Sequence, residues 1–461
     1  MKKIVIAIIT LVSLPLSAQV TTPLAPWRGD GGEALSLQQL KDSALQNNFA
    51  IRSARHAVDA AQQQRKEAFT KYFPNVSGTG LWFNANKGMA QTEVNLSEYL
   101  SPELGMTLAQ ALPAEALAAL GTPVGISMLK NGTIAGVTAV QPVFAGGQII
   151  NGNKLAKVGE DVSRLQLQLS ENEVEKQTEQ YYWQLVSLQE KMKTVEAVQA
   201  LLADIHKDVD VAVLAGLAMR NDLLQVQLRQ NDVESQKLKL QNGISIVRLL
   251  LAQYCGLSRS DFAISQELPA LVGEEPEVGA VYPDGALHLL PEYQLLNKQV
   301  EATKLQKNME IGKNLPTLGV GAGYNYHNLL DNDHTFGMVF ATVSVPISDW
   351  WGGSHAIKRR KIEHQKAEEQ LADNSELLKI RMQKAWNDVE ESRQQLQIAQ
   401  RSIEQAEENL RLNRDYYRAG TSKMSDLLEA QLLYQQSFDR RTDAYADYQN
   451  KILAYRQATG Q

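Results

Sequence analysis

The chain of 461 residues has one cysteine and no excess of basic side chains. Because a single thiol has no partner, Cys255 cannot form a disulfide within the chain, and its apolar surroundings favour a small core residue. The net charge of −6 is unsuited to a phosphate backbone, which requires a basic face. The charge therefore argues against nucleic acid as a partner.

Long apolar runs are absent after the first 18 residues. Lys2 and Lys3 followed by apolar residues up to Leu16, with small residues up to Ala18, indicate a signal peptide at 1–18 and an exported chain. The residue directly after the predicted cleavage site is Gln19 and not a cysteine, so we expect no lipid anchor there. Beyond it no apolar run is long enough for a membrane-spanning helix, so a mature chain that crosses a membrane would need a closed β-barrel.

Catalytic and metal-binding motifs are also absent. The seven histidines show no ligand spacing such as H-E-x-x-H, and no nucleophilic residue recurs beside a base. From the sequence we expect no enzymatic activity, no cofactor and no metal site.

What the chain does contain is a copy of itself. A shift of 204 positions aligns Gln141-Pro142-Val143 with Val345-Pro346-Ile347, and Asp222-Leu223-Leu224 with Asp426-Leu427-Leu428. Upstream, Phe73-Pro74 aligns with Leu315-Pro316 at a shift of 242, so the first copy carries 38 additional residues. A repeat of this length indicates two structural halves.

The repeat predicts four segments: a signal peptide at 1–18, a first repeat at 19–256, a linker at 257–287 and a second repeat at 288–461. Each repeat reads as a helix, two strands, a very long helix, a glycine turn and a second long helix. The additional residues of the first repeat fall within 85–131, between its two strands, where we expect a long outer loop that holds a short helix.

The strands are predicted from a period of two. Between Thr317 and Tyr326 apolar side chains alternate with small or polar ones, which is typical of a strand that is wet on one side. The predicted strands are 75–83, 133–144, 317–326 and 339–347. Their length of about 9–12 residues is what a tilted strand needs to cross a bilayer.

The helices are predicted at 37–71, 153–214, 220–253, 291–313, 354–418 and 425–457. Each return strand ends in a proline and a glycine pair that we expect to form the turn into the long helix. These junction residues are Pro142, Gly146 and Gly147 in the first repeat and Pro346, Gly352 and Gly353 in the second. Gly216 and Gly420 are expected to cap the ends of the long helices.

Four strands cannot close a barrel, and open strand edges are not tolerated in lipid. Three copies would supply twelve strands, an even number that is usual for outer-membrane barrels. The predicted fold is thus an α+β membrane protein: a duplicated strand-strand-helical-hairpin protomer that forms a trimeric 12-stranded outer-membrane β-barrel continued by a periplasmic α-helical coiled-coil barrel.

With this order of elements, the junction sequences and the tip segment from Tyr417-Arg418-Ala419-Gly420 to Asp426-Leu427-Leu428-Glu429-Ala430 resemble the TolC-like outer membrane efflux proteins. The resemblance implies a homotrimeric exit duct of efflux or type I secretion systems in the outer membrane. Its partners would be a periplasmic adaptor, an inner-membrane transporter and outer-membrane lipid.

The resemblance also implies roles at the tips of the hairpins. Asp426 and Glu429 match acidic rings that line the closed aperture, and Asp222 and Tyr417 match positions that tether the tips. Where the best-known member of that family has an arginine two residues after the glycine, this chain has Ser422. A second interpretation of the two aspartates is favourable placement at helix N-termini, although this does not explain Glu429, whose counterpart in the first repeat is Gln225.

The alternative function is a periplasmic coiled-coil adaptor. An adaptor would have one helical hairpin flanked by soluble β domains, whereas this sequence predicts two hairpins and glycine-rich strands of bilayer length.

Overall fold

The computed structural model describes residues 34–94, 100–113, 115–116, 122, 124–258, 262–264, 283–329, 332–347 and 349–461. The predicted signal peptide at 1–18 lies outside the described residues, as does most of the predicted linker at 257–287.

The described chain is an α+β fold in which helices dominate, as predicted. In chain order the elements are α1 Leu37–Asn47, α2 Phe49–Thr70, β1 Asn75–Asn84, β2 Ala90–Val94, α3 Pro102–Ala111, β3 Val124–Met128, β4 Asn131–Ala145, α4 Gln148–Leu214, α5 Arg220–Cys255, α6 Pro283–Ala286, a 3-10 turn Leu287–Leu289, α7 Pro291–Lys313, β5 Thr317–Leu329, β6 Asn332–Ser344, α8 Asp349–Arg418 and α9 Met424–Thr459.

The first predicted helix, 37–71, is wrong in one respect, because the structure divides it into α1 and α2 at Asn48. Asn48 has an extended backbone, its Oδ1 accepts a hydrogen bond from the Ala50 amide at 2.8 Å, and its Nδ2 donates to the Tyr254 carbonyl at 3.0 Å. An asparagine side chain that satisfies the backbone locally offers an alternative to the helix. The apolar period continues across the break, which is why the pattern alone did not reveal it.

The strands form an antiparallel sheet in the order β1-β4-β5-β6. The register pairs Thr79 with Gly136, Gly136 with Asn325, and Asn325 with Phe336, so these side chains share one face. The opposite face carries the predicted apolar residues of β5, namely Leu318, Val320, Ala322, Tyr324 and Tyr326. Strands β1 and β6 each have one neighbour within the described chain and so form the two edges of the sheet.

The region of the 38 additional residues contains secondary structure of its own. Strands β2 and β3 pair antiparallel, with Ala90 opposite Met128 and Val94 opposite Val124, and α3 lies between them in sequence. The expected short helix is therefore present, and the insertion adds a hairpin that the sequence analysis did not predict.

The two junctions between strand and long helix differ, which corrects the predicted role of one glycine pair. Gly146 and Gly147 have φ values of 59° and 75° and form the turn before α4. Gly352 and Gly353 do not form a turn, because they lie in the first residues of α8. Under the shift of 204 they align with the first helical residues of α4, so their helical conformation agrees with the repeat itself.

Gly353 lies close to a neighbouring side chain. A Cβ atom there would overlap the side-chain amide of Asn314, which would have to move. The two prolines also differ: Pro142 lies at a register shift between β4 and β5, whereas Pro346 follows the end of β6.

The chain divides into two compact units. One consists of residues 1–58, 163–295 and 372–461, and the other of residues 59–162 and 296–371, which include the four-stranded sheet. In the first unit Tyr182, Leu251, Leu396 and Tyr455 are buried in one apolar cluster. Cys255 belongs to this cluster, and burial raises the pKa of its thiol to about 12, which confirms the predicted small core residue.

Among the helices of the described chain, none combines the length and the apolar composition that a membrane span requires.

Candidate functional site

The tips of the two helical hairpins have the same backbone geometry. Gly216 and Gly420 have φ values of 74° and 72°. After α4 the amide of Leu217 donates to the Ala212 carbonyl at 2.8 Å, and after α8 the amide of Thr421 donates to the Tyr416 carbonyl at 2.9 Å. Both ends are Schellman motifs, in which a glycine in the left-handed region satisfies the last helical carbonyls.

Asp222 and Asp426 begin the helices that follow these turns. Asp222 Oδ2 accepts a hydrogen bond from the Met219 amide, and Asp426 Oδ2 accepts one from the Lys423 amide, both at 3.2 Å. Each carboxylate therefore satisfies a backbone donor that the helix leaves unpaired, and its negative charge is favourable at a helix N-terminus.

Asp426 has further donors around it. The hydroxyl groups of Ser422 and Ser425 both donate to its carboxylate at 3.1 Å. The Lys423 amide, followed by these two hydroxyls, lowers the pKa of Asp426, so the side chain is ionised at neutral pH. Ser422 thus contacts Asp426 in the same chain.

Glu429 is the second acidic residue of the tip. It follows Asp426 by three positions on α9, so the two carboxylates share one side of the helix. Both are exposed, whereas Met424 and Leu427 on the other side are buried. The tip therefore presents two carboxylates to solvent above an apolar contact.

Tyr417 lies within electrostatic reach of Asp222. The tyrosine is half-buried, and burial, followed by the charge of Asp222, raises the pKa of its hydroxyl. The structure thus brings together the two residues that the resemblance paired, one at the end of α8 and one at the start of α5.

An ion pair that was missed from the sequence joins the two hairpins. Nη2 of Arg418, at the end of α8, donates to Oδ2 of Asp208 in α4 at 3.1 Å. The repeat could have revealed this pair, because Arg418 and Asp208 align with two uncharged residues, Leu214 and Leu412, under the shift of 204. Charges that are present in only one copy indicate a contact that the other copy lacks. Both side chains are about half exposed, and such a pair contributes about 0–1 kcal/mol to stability.

A cleft of about 1210 Å³ lies between the two tips. Asp222, Tyr417, Arg418 and Ser422 are among its lining residues. In the part of the chain that the structure describes, no group of three or more histidine, cysteine, aspartate or glutamate side chains is placed to hold a metal ion. The two hairpins thus meet at the tips through charged and hydrogen-bonding side chains.

We predict opposite effects of alanine at two glycines. Gly420→Ala should lower the free energy of unfolding by about 1–2 kcal/mol, because an L-residue is strained at a left-handed φ. Gly352→Ala should raise it by about 0.4–1 kcal/mol, because Gly352 is helical and a Cβ there meets no neighbouring atom. Urea unfolding of the detergent-solubilised protein, followed by circular dichroism, measures both. A loss of stability for Gly352→Ala would contradict the helical conformation and support the turn predicted from the sequence.

Comparisons with known proteins cover part of the chain in sequence and most of it in fold. A model of the outer membrane efflux protein family matches residues 291–461. No curated protein matches the sequence.

Among solved structures, the outer-membrane channel OprN is 16% identical, with 92% of this chain and 89% of that chain covered and a TM-score of 0.74. The outer membrane protein VceC from Vibrio cholerae is also 16% identical, covers 92% of this chain and 96% of its own, and has a TM-score of 0.71. The CmeC outer membrane channel from Campylobacter jejuni is 15% identical, covers 92% and 85%, and has a TM-score of 0.73.

At these identities the structures establish a common fold, and the family model adds similarity in sequence. The predicted resemblance is thereby confirmed: this chain is similar to the TolC-like outer membrane efflux proteins, in sequence over residues 291–461 and in fold over most of its length.

Proposed function

We propose that the protein is the trimeric outer-membrane exit duct of a tripartite efflux or type I secretion system. In this role it receives small molecules or exported substrates from an inner-membrane transporter through a periplasmic adaptor and passes them to the outside. The family match of residues 291–461, the fold shared with outer-membrane channels and the predicted signal peptide support this proposal.

The observation that carries the proposal is the sheet. Its strands β4, β5 and β6 contain 13 or 15 residues, and β1 contains 10, which is enough for each to cross a bilayer when tilted. One face exposes large apolar side chains: Val339 is 86% exposed, Trp82 70% and Tyr324 62%. A soluble protein rarely exposes so continuous an apolar surface, whereas lipid would cover it.

The edges of the sheet require further copies of the chain. Among the described residues no strand pairs with the outer sides of β1 and β6, and lipid offers no hydrogen bonds to their backbone groups. Pairing β6 of one copy with β1 of the next keeps all strands antiparallel. Three copies then close a barrel of twelve strands, and their helical hairpins form the periplasmic tube.

The tips of the hairpins would form the aperture of the duct. Threefold symmetry turns Asp426 and Glu429 into rings of like charge, which attract cations and exclude anions. Within one chain hydrogen bonds lower the pKa of Asp426, and repulsion between copies acts in the opposite direction. Asp222 with Tyr417, and Arg418 with Asp208, would hold neighbouring hairpins together against this repulsion.

Fractionation and conductance together test the duct. Expressed with residues 1–18, the protein should be recovered in the outer membrane and, after extraction in detergent, should produce stepwise conductance in planar lipid bilayers. A soluble periplasmic species without conductance would contradict the duct and favour the coiled-coil adaptor.

The double variant Asp426→Asn with Glu429→Gln should reduce cation selectivity and block by divalent cations. The side-chain oxygen of asparagine can still accept the hydrogen bond from the Lys423 amide, so this variant removes two charges and keeps that bond. Reversal potentials in a salt gradient measure the selectivity. The variant Glu391→Gln with Glu404→Gln, which removes two exposed charges from α8, serves as the control. If the tip variant keeps the cation selectivity and the divalent block of the wild type, the two carboxylates do not line the aperture and act only at the end of the helix.

A further inference from the structure

Two histidines face each other across the hairpin of β5 and β6. His327 and His334 are directly opposed in the register of the two strands. Side chains at opposed positions have Cβ atoms about 4.5–5.5 Å apart and project from the same face of a sheet. The ring centroids of the two histidines are 5.4 Å apart, and their planes are inclined at 46°.

This geometry is close to that of two imidazoles bound to one ion. With metal–nitrogen bonds of about 2.0–2.1 Å, two imidazole rings at a right or tetrahedral angle have centroids about 4.5–5.2 Å apart. A small rotation about the side-chain bonds of the exposed His334 is enough to bring the observed rings to that separation.

The environment of His327 also favours the binding of a metal ion. Its Nδ1 is shielded from solvent and makes no hydrogen bond with any described residue. A shielded polar atom without a partner is costly, and bonding to a metal ion would remove that cost. On β4 the residue opposite His327 is Ile134, which brings no charge to this face.

The carboxylate of Asp333, which precedes His334, belongs to the other face of the hairpin. Asp333 accepts hydrogen bonds from the Tyr326 hydroxyl at 2.8 Å and from Nδ2 of Asn328 at 2.6 Å. The two histidines are therefore available as a pair of nitrogen ligands. Phe336 lies beside both rings, with centroid distances of 6.1 and 6.2 Å, and limits their movement on one side.

We propose that His327 and His334 form a two-histidine chelate for a divalent transition-metal ion, with water in the remaining coordination positions. Imidazole suits Cu²⁺, Zn²⁺ and Ni²⁺, and among these Cu²⁺ binds most tightly. The proposal replaces the expectation of no metal site. That expectation came from spacing along one chain segment, whereas this pair is brought together by strand register.

The location of the pair implies that bound metal would affect the passage of the duct, an inference that rests on the proposed function. The histidines lie on the face that carries threonine and glycine in β5, which is the inner face of the proposed barrel. Three copies would place three such chelates around the passage. Metal bound there narrows the passage and adds positive charge to its wall.

Cu²⁺ titration of the full-length protein, purified without a histidine tag, tests the chelate directly. Wild-type protein should bind one Cu²⁺ per chain at this site, with two nitrogen ligands in the electron paramagnetic resonance spectrum. His327→Gln and His334→Gln should each weaken binding by more than about tenfold, since loss of a ligand exceeds the effect of losing an outer contact. His56→Gln, which removes an exposed histidine from α2, is the control and should leave binding unchanged.

Equal binding by all four proteins, or a spectrum with only oxygen ligands, would overturn the chelate and leave the pair as a packing contact with Phe336. Circular dichroism of each variant verifies that it is folded. Conductance separates the two proposals: Cu²⁺ should reduce the wild-type current and leave that of His327→Gln unaffected. Binding without any effect on an active channel would overturn the inner location, whereas binding by a protein that forms no channel would contradict only the duct.

Discussion

The unpaired backbone groups along the two edges of the four-stranded sheet are the constraint from which the rest of this protein follows. An antiparallel sheet of four strands leaves one row of amide and carbonyl groups open on β1 and another on β6. In water such edges invite aggregation, and in lipid they have no partner at all. The large apolar side chains on one face impose a second constraint, because their exposure to water is unfavourable. Under the proposed function, lipid covers that face and further copies of the chain cover the edges.

Duplication explains why the two halves look alike, and departures from it indicate where they act differently. The turns at Gly216 and Gly420 share one Schellman geometry, and Asp222 and Asp426 cap the next helices in the same way. Glu429 and the ion pair between Arg418 and Asp208 have no counterpart in the other half. These unrepeated charges cluster at the tips, where the hairpins meet. Helix capping accounts for the repeated residues, and the proposed aperture accounts for the others.

The sequence predicted the elements whose causes are local. Period-two alternation identified β1, β4 and β5 to within three residues at each end, and left-handed glycines identified the ends of α4 and α8. The start of α8 was predicted five residues late, because Gly352 and Gly353 were interpreted as a turn. In the structure the constraint on Gly353 is the neighbouring Asn314, which is 39 positions earlier in the chain.

Contacts between distant segments account for what the sequence could not predict. The break at Asn48 depends on the Tyr254 carbonyl, and the ion pair of Arg418 depends on the position of α4 beside α8. His327 and His334 are seven positions apart and become neighbours only through the register of β5 and β6. No local spacing rule identifies such pairs, because they arise from the pairing of elements. The proposed roles of Asp426, Glu429, Asp222 and Tyr417 in gating likewise depend on neighbouring copies of the chain.

Oxidative cross-linking between the two sheet edges tests most directly whether copies of the chain close the sheet. In a Cys255→Ser background, one cysteine replaces Ser77 on β1 and a second replaces, in turn, Met338, Phe340, Thr342 or Ser344 on the same face of β6. At least one combination should give a reducible ladder that ends at three chains, whereas the single-cysteine variants should give no trimer. Monomers at every position, or a ladder that ends at two chains, would contradict closure by three copies.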